Sequence, residues 1–320
     1  MSLTWILIVF VLLLYIAVSI YYTNYPRHGV DPPHYTLLCG KVVCYCGGAG
    51  EECENTLGAY GNAVLCGGEA IYCHCQMTKD KKIVLARDNN LLRTAGVDKC
   101  ISELKFNELP LLKRTIQADY NNELKRNIPR LDDRKIPLLS SCLSQFQYTD
   151  LVIHFEQYDE EMVELVYKMI KGRDANVTWG CNSRTENEKL YKKHADINIL
   201  CPFSQFYLYL MLFFMGLLPH IPIKETVIEV PVPSSFVNNE LKNWPYLPSF
   251  IKKMLAVIAD ALVLQPSLFR HLKKRCVLVY PGILNDNESF ERYWKAGVSG
   301  MITDFPSRLQ KFYKSKIKSN

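Results

Sequence analysis

The sequence predicts a (β/α)8 barrel with an N-terminal transmembrane helix and an apolar membrane-associating insertion. Three observations lead there. Short β-type runs alternate with amphipathic helical runs along most of the chain, the pattern of a parallel sheet with helices outside it. Eight such runs suit a closed parallel barrel, which places functional residues at the C-terminal ends of the strands. Ahead of them, Leu3 to Tyr22 is an uncharged apolar stretch of the roughly 20 residues that cross a bilayer as a helix. The chain has 320 residues, 48% apolar and 22% charged, a globular composition that excludes a disordered or collagen-like chain. There are 38 Lys+Arg against 32 Asp+Glu, a net charge of +6. No basic block is interleaved with aromatics, so nucleic acid is not an expected partner.

The anchor, residues 1–25, reads LTWILIVFVLLLYIAVSIYY from Leu3. Trp5 near one end and Tyr21, Tyr22 and Tyr25 near the other suit the aromatic belts of a bilayer. A cleaved signal peptide is the competing reading. Ala17-Val18-Ser19 resembles a cleavage site, but the positive n-region is missing and the apolar run is long for an h-region. Arg27 and Lys41 follow the span and none precedes it, which favours a cytosolic main domain. Twelve cysteines without a paired framework read as reduced thiols. The sequons at Asn176 and Asn287 matter only in a luminal domain.

The barrel is expected over residues 40–312, with 313–320 as a basic tail. Its strands are expected at Lys41–Cys46, Ala70–Cys75, Ile83–Ala86, Leu151–Phe155, Asn176–Gly180, Ile197–Cys201, Cys276–Leu284 and Gly300–Asp304. In Asp159–Gly172 the residues Met162, Leu165, Val166, Met169 and Ile170 recur at helical spacing, with Asp159 as N-cap and Gly172 as stop. Asp286 and Gly297 bracket a second helix in the same way. Insertions are expected at about 98–134 and 202–275. Val227–Val232, a ninth strand-like run, is assigned to the second of these.

That second insertion is the most apolar part of the domain. From Ile197 to Ile223 the only titrating residue of acidic or basic type is His220, and the centre is FYLYLMLFFMGLL. This is short for a full span. A re-entrant or interfacial segment and a fully buried barrel helix both fit. Met254 to Leu264 is also largely apolar, with Lys252 and Lys253 before it and Arg270, Lys273, Lys274 and Arg275 after it. Those flanks suit anionic headgroups.

The ordered motifs carry a resemblance. Tyr45-Cys46-Gly47-Gly48 followed by Glu54-Asn55-Thr56 resembles the "HRGG…ENT" signature of the glycerophosphodiester phosphodiesterase family. Thr78-Lys79-Asp80 matches its "TKD" turn, and Arg87-Asp88 through Leu91 to Arg93 resembles its "HD..L.R" element. Ile101-Ser102-Glu103-Leu104 and Ile136-Pro137-Leu138-Leu139 match two further landmarks, and Gly300 to Pro306 is close to "G(V/I)(I/M)TDYP". The apolar N-terminus and the stretch Gly216 to Ile223 are further similar to the membrane-bound lysophospholipase D subgroup. The resemblance implies a barrel that hydrolyses glycerophosphodiesters or lysophospholipids with Mg²⁺ or Ca²⁺, at an endoplasmic reticulum or other internal membrane, single-pass or with a second re-entrant segment.

The pocket positions depart from that pattern. Tyr45 and Arg87 stand where the family has its two catalytic His. Tyrosine ionises near 10 and arginine does not release its proton, so neither is a neutral-pH base. Tyr72, His74 and His154 stand at the metal carboxylates, the main source of affinity for a hard cation. Among the substrate positions, Cys46 replaces an Arg, Glu156 a Lys and Gly282 a Trp, while Asp88, Glu54 and Arg93 keep the family's residue types. Retained landmarks around an altered pocket imply a pseudoenzyme that keeps lipid or partner binding and uses no metal. Arg87 and Arg93 would hold a phosphate, unless Arg87 only pairs with Asp88 or Glu54. Phe206–Leu218 would hold the acyl chain or enter the bilayer. The alternative is an active diesterase with a remodelled site, in which His74 and His154, with Cys46 or Asp88, bind Zn²⁺.

Overall fold

The computed structural model describes residues 3–24, 41–117, 125–127, 134–233 and 248–319. Tyr25, Arg27 and parts of both expected insertions lie outside the described residues. Eight strands form the barrel wall: β1 (Val42–Tyr45), β2 (Ala70–Met77), β6 (Asp150–Phe155), β7 (Val177–Cys181), β8 (Asn198–Cys201), β9 (Val227–Pro231), β10 (Leu278–Gly282) and β11 (Met301–Thr303). They pair in parallel in the order β10-β9-β8-β7-β6-β2-β1-β11. At the remaining seam Ser299 N donates to Val279 O (2.8 Å) and Leu284 N to Ile302 O (2.9 Å), leaving the barrel nearly closed.

Two strand assignments change. Ile83–Ala86 does not join the wall. Its core, β3 (Ile83–Leu85), folds back antiparallel on β2 after the Thr78–Lys82 turn. Val227–Val232 is not part of an excursion, because β9 lies between β8 and β10. The count of eight stands while its membership differs. The segment 98–134 carries two 3-10 turns and the small antiparallel pair β4 (Thr115–Gln117) and β5 (Lys125–Asn127). Ile101, Leu112 and Ile116 pack there with Val84 and Leu91 into a satellite core.

The helices are α1 (Leu3–Asn24), α2 (Leu57–Leu65), α3 (Leu92–Ala95), α4 (Leu139–Gln145), α5 (Glu160–Ile170), α6 (Arg184–Lys193), α7 (Phe203–Phe214), α8 (Ser249–Val263), α9 (Pro266–Lys274), α10 (Asn287–Ala296) and α11 (Pro306–Ser319). Strand alternation separates two cores. Cys73, Cys75, Ile153, Phe155 and Trp179 face outward against α5, where Met162, Val163 and Val166 meet them. Val43, Tyr72, Val152, Leu200, Tyr280 and Ile302 fill the barrel interior. Every described cysteine is a free thiol. Of the expected tail, residues 313–319 continue α11, and Tyr313 is buried.

Local chemistry explains why the sequence landmarks are kept. Gly47 and Gly48 have φ of 83° and 84°. A Cβ on Gly47 would stand 2.7 Å from the Tyr60 ring, and one on Gly48 2.8 Å from Pro306, so this turn needs glycine for space and for backbone. Asn55, itself left-handed, accepts a hydrogen bond from Tyr60 Oη (3.1 Å), and Thr56 caps α2 through Ala59 N. Thr78 Oγ1 donates to Asp80 Oδ1 (2.7 Å), which also accepts from Phe106 N. Asp159 accepts from Met162 N (2.8 Å) at the start of α5. Asp159→Ala is expected to lower stability by about 1 kcal/mol, read from denaturant midpoints.

α1 stands apart. Its window Trp5–Tyr22 has a mean hydropathy of 2.5, and none of it is buried in the fold. Its described contacts with the body lie from Tyr15 onward. Tyr15 Oη donates to Met215 O (3.0 Å), and Ser19 Oγ lies 3.1 Å from His220 Nε2. By length and composition this helix is able to cross a membrane.

Candidate functional site

β2 and β6 lie side by side in a register that sets His74 against His154 and Tyr72 against Val152. Period-two alternation turns Tyr72, His74 and His154 into the barrel together. Tyr45, registered with Tyr72, brings its ring to 5.1 Å from that of Tyr72 and 5.4 Å from that of His74. The structure therefore gathers Tyr45, Cys46, Tyr72, His74, His154 and Glu156 at one end of the barrel, where the strands finish.

These side chains form one line of polar contacts. Cys46 Sγ lies 3.5 Å from His74 Nδ1, and His74 Nε2 lies 3.4 Å from Glu156 Oε1. Asn182 Nδ2 donates to Glu156 Oε2 (3.1 Å), and Asn182 Oδ1 faces His154 Nε2 at 3.1 Å. His154 Nδ1 lies 3.1 Å from Tyr72 Oη, which lies 3.2 Å from Glu229 Oε2. Glu229 escapes notice in the sequence because its strand is flanked by apolar and proline-rich segments. The readable signal is a lone carboxylate between Ile228 and Val230, on the face opposite theirs.

Burial decides the charge states. It pushes both His74 and His154 below the ordinary histidine range, and His154 and Arg87 add repulsion at His74. It holds Tyr45, Tyr72 and Cys46 well above their usual values. It raises the Glu229 carboxyl to about 7. The partners then set the protons. Neutral His74 can accept the Cys46 thiol proton at Nδ1, which leaves its Nε2–H facing Glu156. Neutral His154 donates from Nε2 to Asn182 Oδ1, so its Nδ1 needs a donor, which is Tyr72. The phenol oxygen then accepts from a protonated Glu229. Ionised Glu229 instead captures the Tyr72 proton and leaves His154 Nδ1 without it.

The remaining positions separate into two groups. Arg93 donates from Nε to Asp88 Oδ2 (2.6 Å) and from Nη2 to Glu54 Oε1. The salt bridge expected of Arg87 is thus made by Arg93, whose guanidinium is taken up by two carboxylates. Arg87 instead reaches the cluster, with Nε 3.8 Å from Glu156 Oε1. It rims a small cleft with an apolar floor of Leu85, Leu112, Ile116 and Ile136. At Gly282 a Cβ would meet Ile302 at 3.0 Å and Glu229 Oε1 at 3.2 Å. A bulky residue there has no room, because the Glu229 carboxyl occupies the place.

A divalent metal fits poorly. A neutral phenol and two imidazoles replace the carboxylates that a hard cation favours, and each nitrogen of His74 already faces another side chain. The zinc set fares no better. Cys46 and Glu156 lie on opposite nitrogens of His74, and Asp88 is held by Arg93. Among the described residues no group of three or more His, Cys, Asp or Glu is arranged to hold a metal ion.

A parallel eight-stranded barrel with its polar cluster at the strand ends has the architecture of a (β/α)8 protein with its site in the usual place. The chain belongs to the glycerophosphoryl diester phosphodiesterase family, whose model matches residues 46–308. It is 34% identical over 274 residues to the human lysophospholipase D GDPD1, covering 85% of each chain. It is 26% identical over 300 residues to the human lysophospholipase D GDPD3, covering 93% of this chain and 92% of the relative. Among solved structures, the glycerophosphoryl diester phosphodiesterase domain of a Mycobacterium tuberculosis protein superposes with a TM-score of 0.64 at 12% identity, covering 85% of this chain and 98% of that one. The Thermotoga maritima glycerophosphodiester phosphodiesterase gives 0.58 at 19%, covering 87% and 99%. These likenesses show the fold. Family enzymes typically depend on a divalent metal, and the chain sits in that lipid-metabolism class of phosphodiesterases.

Proposed function

We propose that this protein is a membrane-anchored pseudoenzyme of the family, which binds a lysophospholipid or glycerophosphodiester through its phosphate without hydrolysing it and without a metal. One observation carries the reading. The five positions where the family keeps its catalytic histidines and metal carboxylates hold Tyr45, Arg87, Tyr72, His74 and His154, four of them uncharged and the fifth a fixed cation. A fixed cation at the mouth suits an anion that is held rather than cleaved. The small cleft beside Arg87 has an apolar floor, but it is too small for an acyl chain, which in this reading stays outside the barrel. α1 supplies the anchor and the basic residues after it favour a cytosolic barrel, at the endoplasmic reticulum or another internal membrane. Nucleic acid has no place in this reading.

Arg87→Ala is expected to weaken lysophospholipid binding about tenfold, the loss of a charge-assisted hydrogen bond of roughly 1.5 kcal/mol. Titration of full-length protein in detergent checks this, and equal affinity in the two proteins would remove Arg87 from the site. A diesterase with a remodelled, metal-free site is the second reading, favoured by the near-neutral Glu229 carboxyl hydrogen-bonded to Tyr72. Product formation that survives chelation would select it.

A further inference from the structure

α7 shows two apolar faces. Phe206, Tyr209 and Leu210 are buried, while Phe203, Tyr207, Met211 and Phe214 are each at least 45% exposed. Their spacing lines the exposed four along one side of the helix, and Met215 and Leu217 extend the stripe. α8 repeats the arrangement. It buries Ala256, Asp260 and Val263 and exposes Phe250, Met254, Val257 and Ile258. Val263 shares one packed cluster with Phe206 and Leu210, so the two helices lie on the same flank. A soluble surface seldom carries a large contiguous apolar patch.

The flank is tied to α1. Tyr15 and Ser19 hydrogen-bond Met215 and His220, at the end of the stripe away from the barrel mouth. Seven residues of helix separate Tyr15 from Tyr22, about 10 Å. If the tyrosines at the end of α1 mark an interface, the Met215 turn sits below headgroup level. α7 is about 18 Å long, too short for a hydrocarbon core of about 30 Å. The stretch Ser249–Lys274, which runs through α8 into α9, is long and apolar enough to cross by length and composition, but 39% of it is buried against the barrel, which favours a side-on placement. Lys252 and Lys253 at the start of α8 match anionic headgroups.

We propose that α7 and α8 form a bilayer-docking face that lays the barrel side-on against the membrane that α1 crosses, with the Phe203 end of the stripe beside the barrel mouth. A lipid's acyl chain then stays in the bilayer while its phosphate reaches Arg87. This rests on α1 spanning the membrane, and the test separates the two claims. Full-length protein is reconstituted in phosphatidylcholine vesicles containing a small fraction of phosphatidylcholine with a diazirine in its acyl chain, irradiated, and mapped by peptide mass spectrometry. Label is expected on peptides from 3–22, 203–217 and 249–258, several-fold above the polar helix 184–193. Label on 3–22 alone overturns the docking face and leaves the anchor. Label on 203–217 and 249–258 without 3–22 overturns the anchor and leaves the face. Label on none, with the flank protected by a second copy of the chain, overturns both.

Discussion

Replacing Glu229 with Gln is expected to stabilise the protein at pH 8 by roughly 3 kcal/mol and to leave it nearly unchanged at pH 4. The carboxyl titrates near 7 in the fold against 4.5 in the unfolded chain. The folded state therefore holds the proton more tightly. Its stabilising contribution is complete below about 4.5 and is lost as pH rises through 7, at about 1.4 kcal/mol per pH unit. Gln keeps the shape of the protonated acid and donates to Tyr72 as that acid does. His74 has the opposite sign, because burial keeps it neutral. Its contribution is present above the ordinary histidine value and is lost as pH falls. Denaturation midpoints of the two proteins across this range check the prediction, and parallel pH curves would contradict it.

Hydrolysis of lysophospholipids or glycerophosphodiesters is expected to proceed at the same rate with Mg²⁺, with Ca²⁺ and with chelator, at the level of a protein-free control. A positioned acid or base contributes about 10²- to 10⁴-fold, and Tyr45 and Arg87 supply neither. A metal adds several kcal/mol of charge stabilisation on the phosphate, and Tyr72, His74 and His154 do not supply its cage. These losses multiply, so the expected deficit spans several orders of magnitude. Initial rates of headgroup release are the readout. Rates that fall on chelation would show that a metal binds through residues other than those at the family positions.

The barrel was legible because its signals are local. Asp159 and Gly172 bracket an amphipathic helix, and strand-like runs recur between such helices. Strand membership was less legible, because pairing partners are not local. Ile83–Leu85 and Val227–Pro231 are both short apolar runs, and only the tight Thr78–Lys82 turn sends the first back on its neighbour while the second joins the wall. That misassignment also hid Glu229. The inward set of Tyr72, His74 and His154 followed from alternation and from the family resemblance. The division of labour between Arg87 and Arg93 did not, since it depends on how the loops after β3 aim two long side chains at Glu54, Asp88 and Glu156.

Binding without cleavage is tested most directly by incubating purified full-length protein with a radiolabelled lysophospholipid, then separating bound from free lipid and analysing both. The expected result is saturable binding weakened by Arg87→Ala, with the lipid recovered intact from both fractions whether or not divalent metal is present. Chelator-sensitive recovery of the lipid as its cleaved headgroup and phosphate-bearing remainder would contradict it.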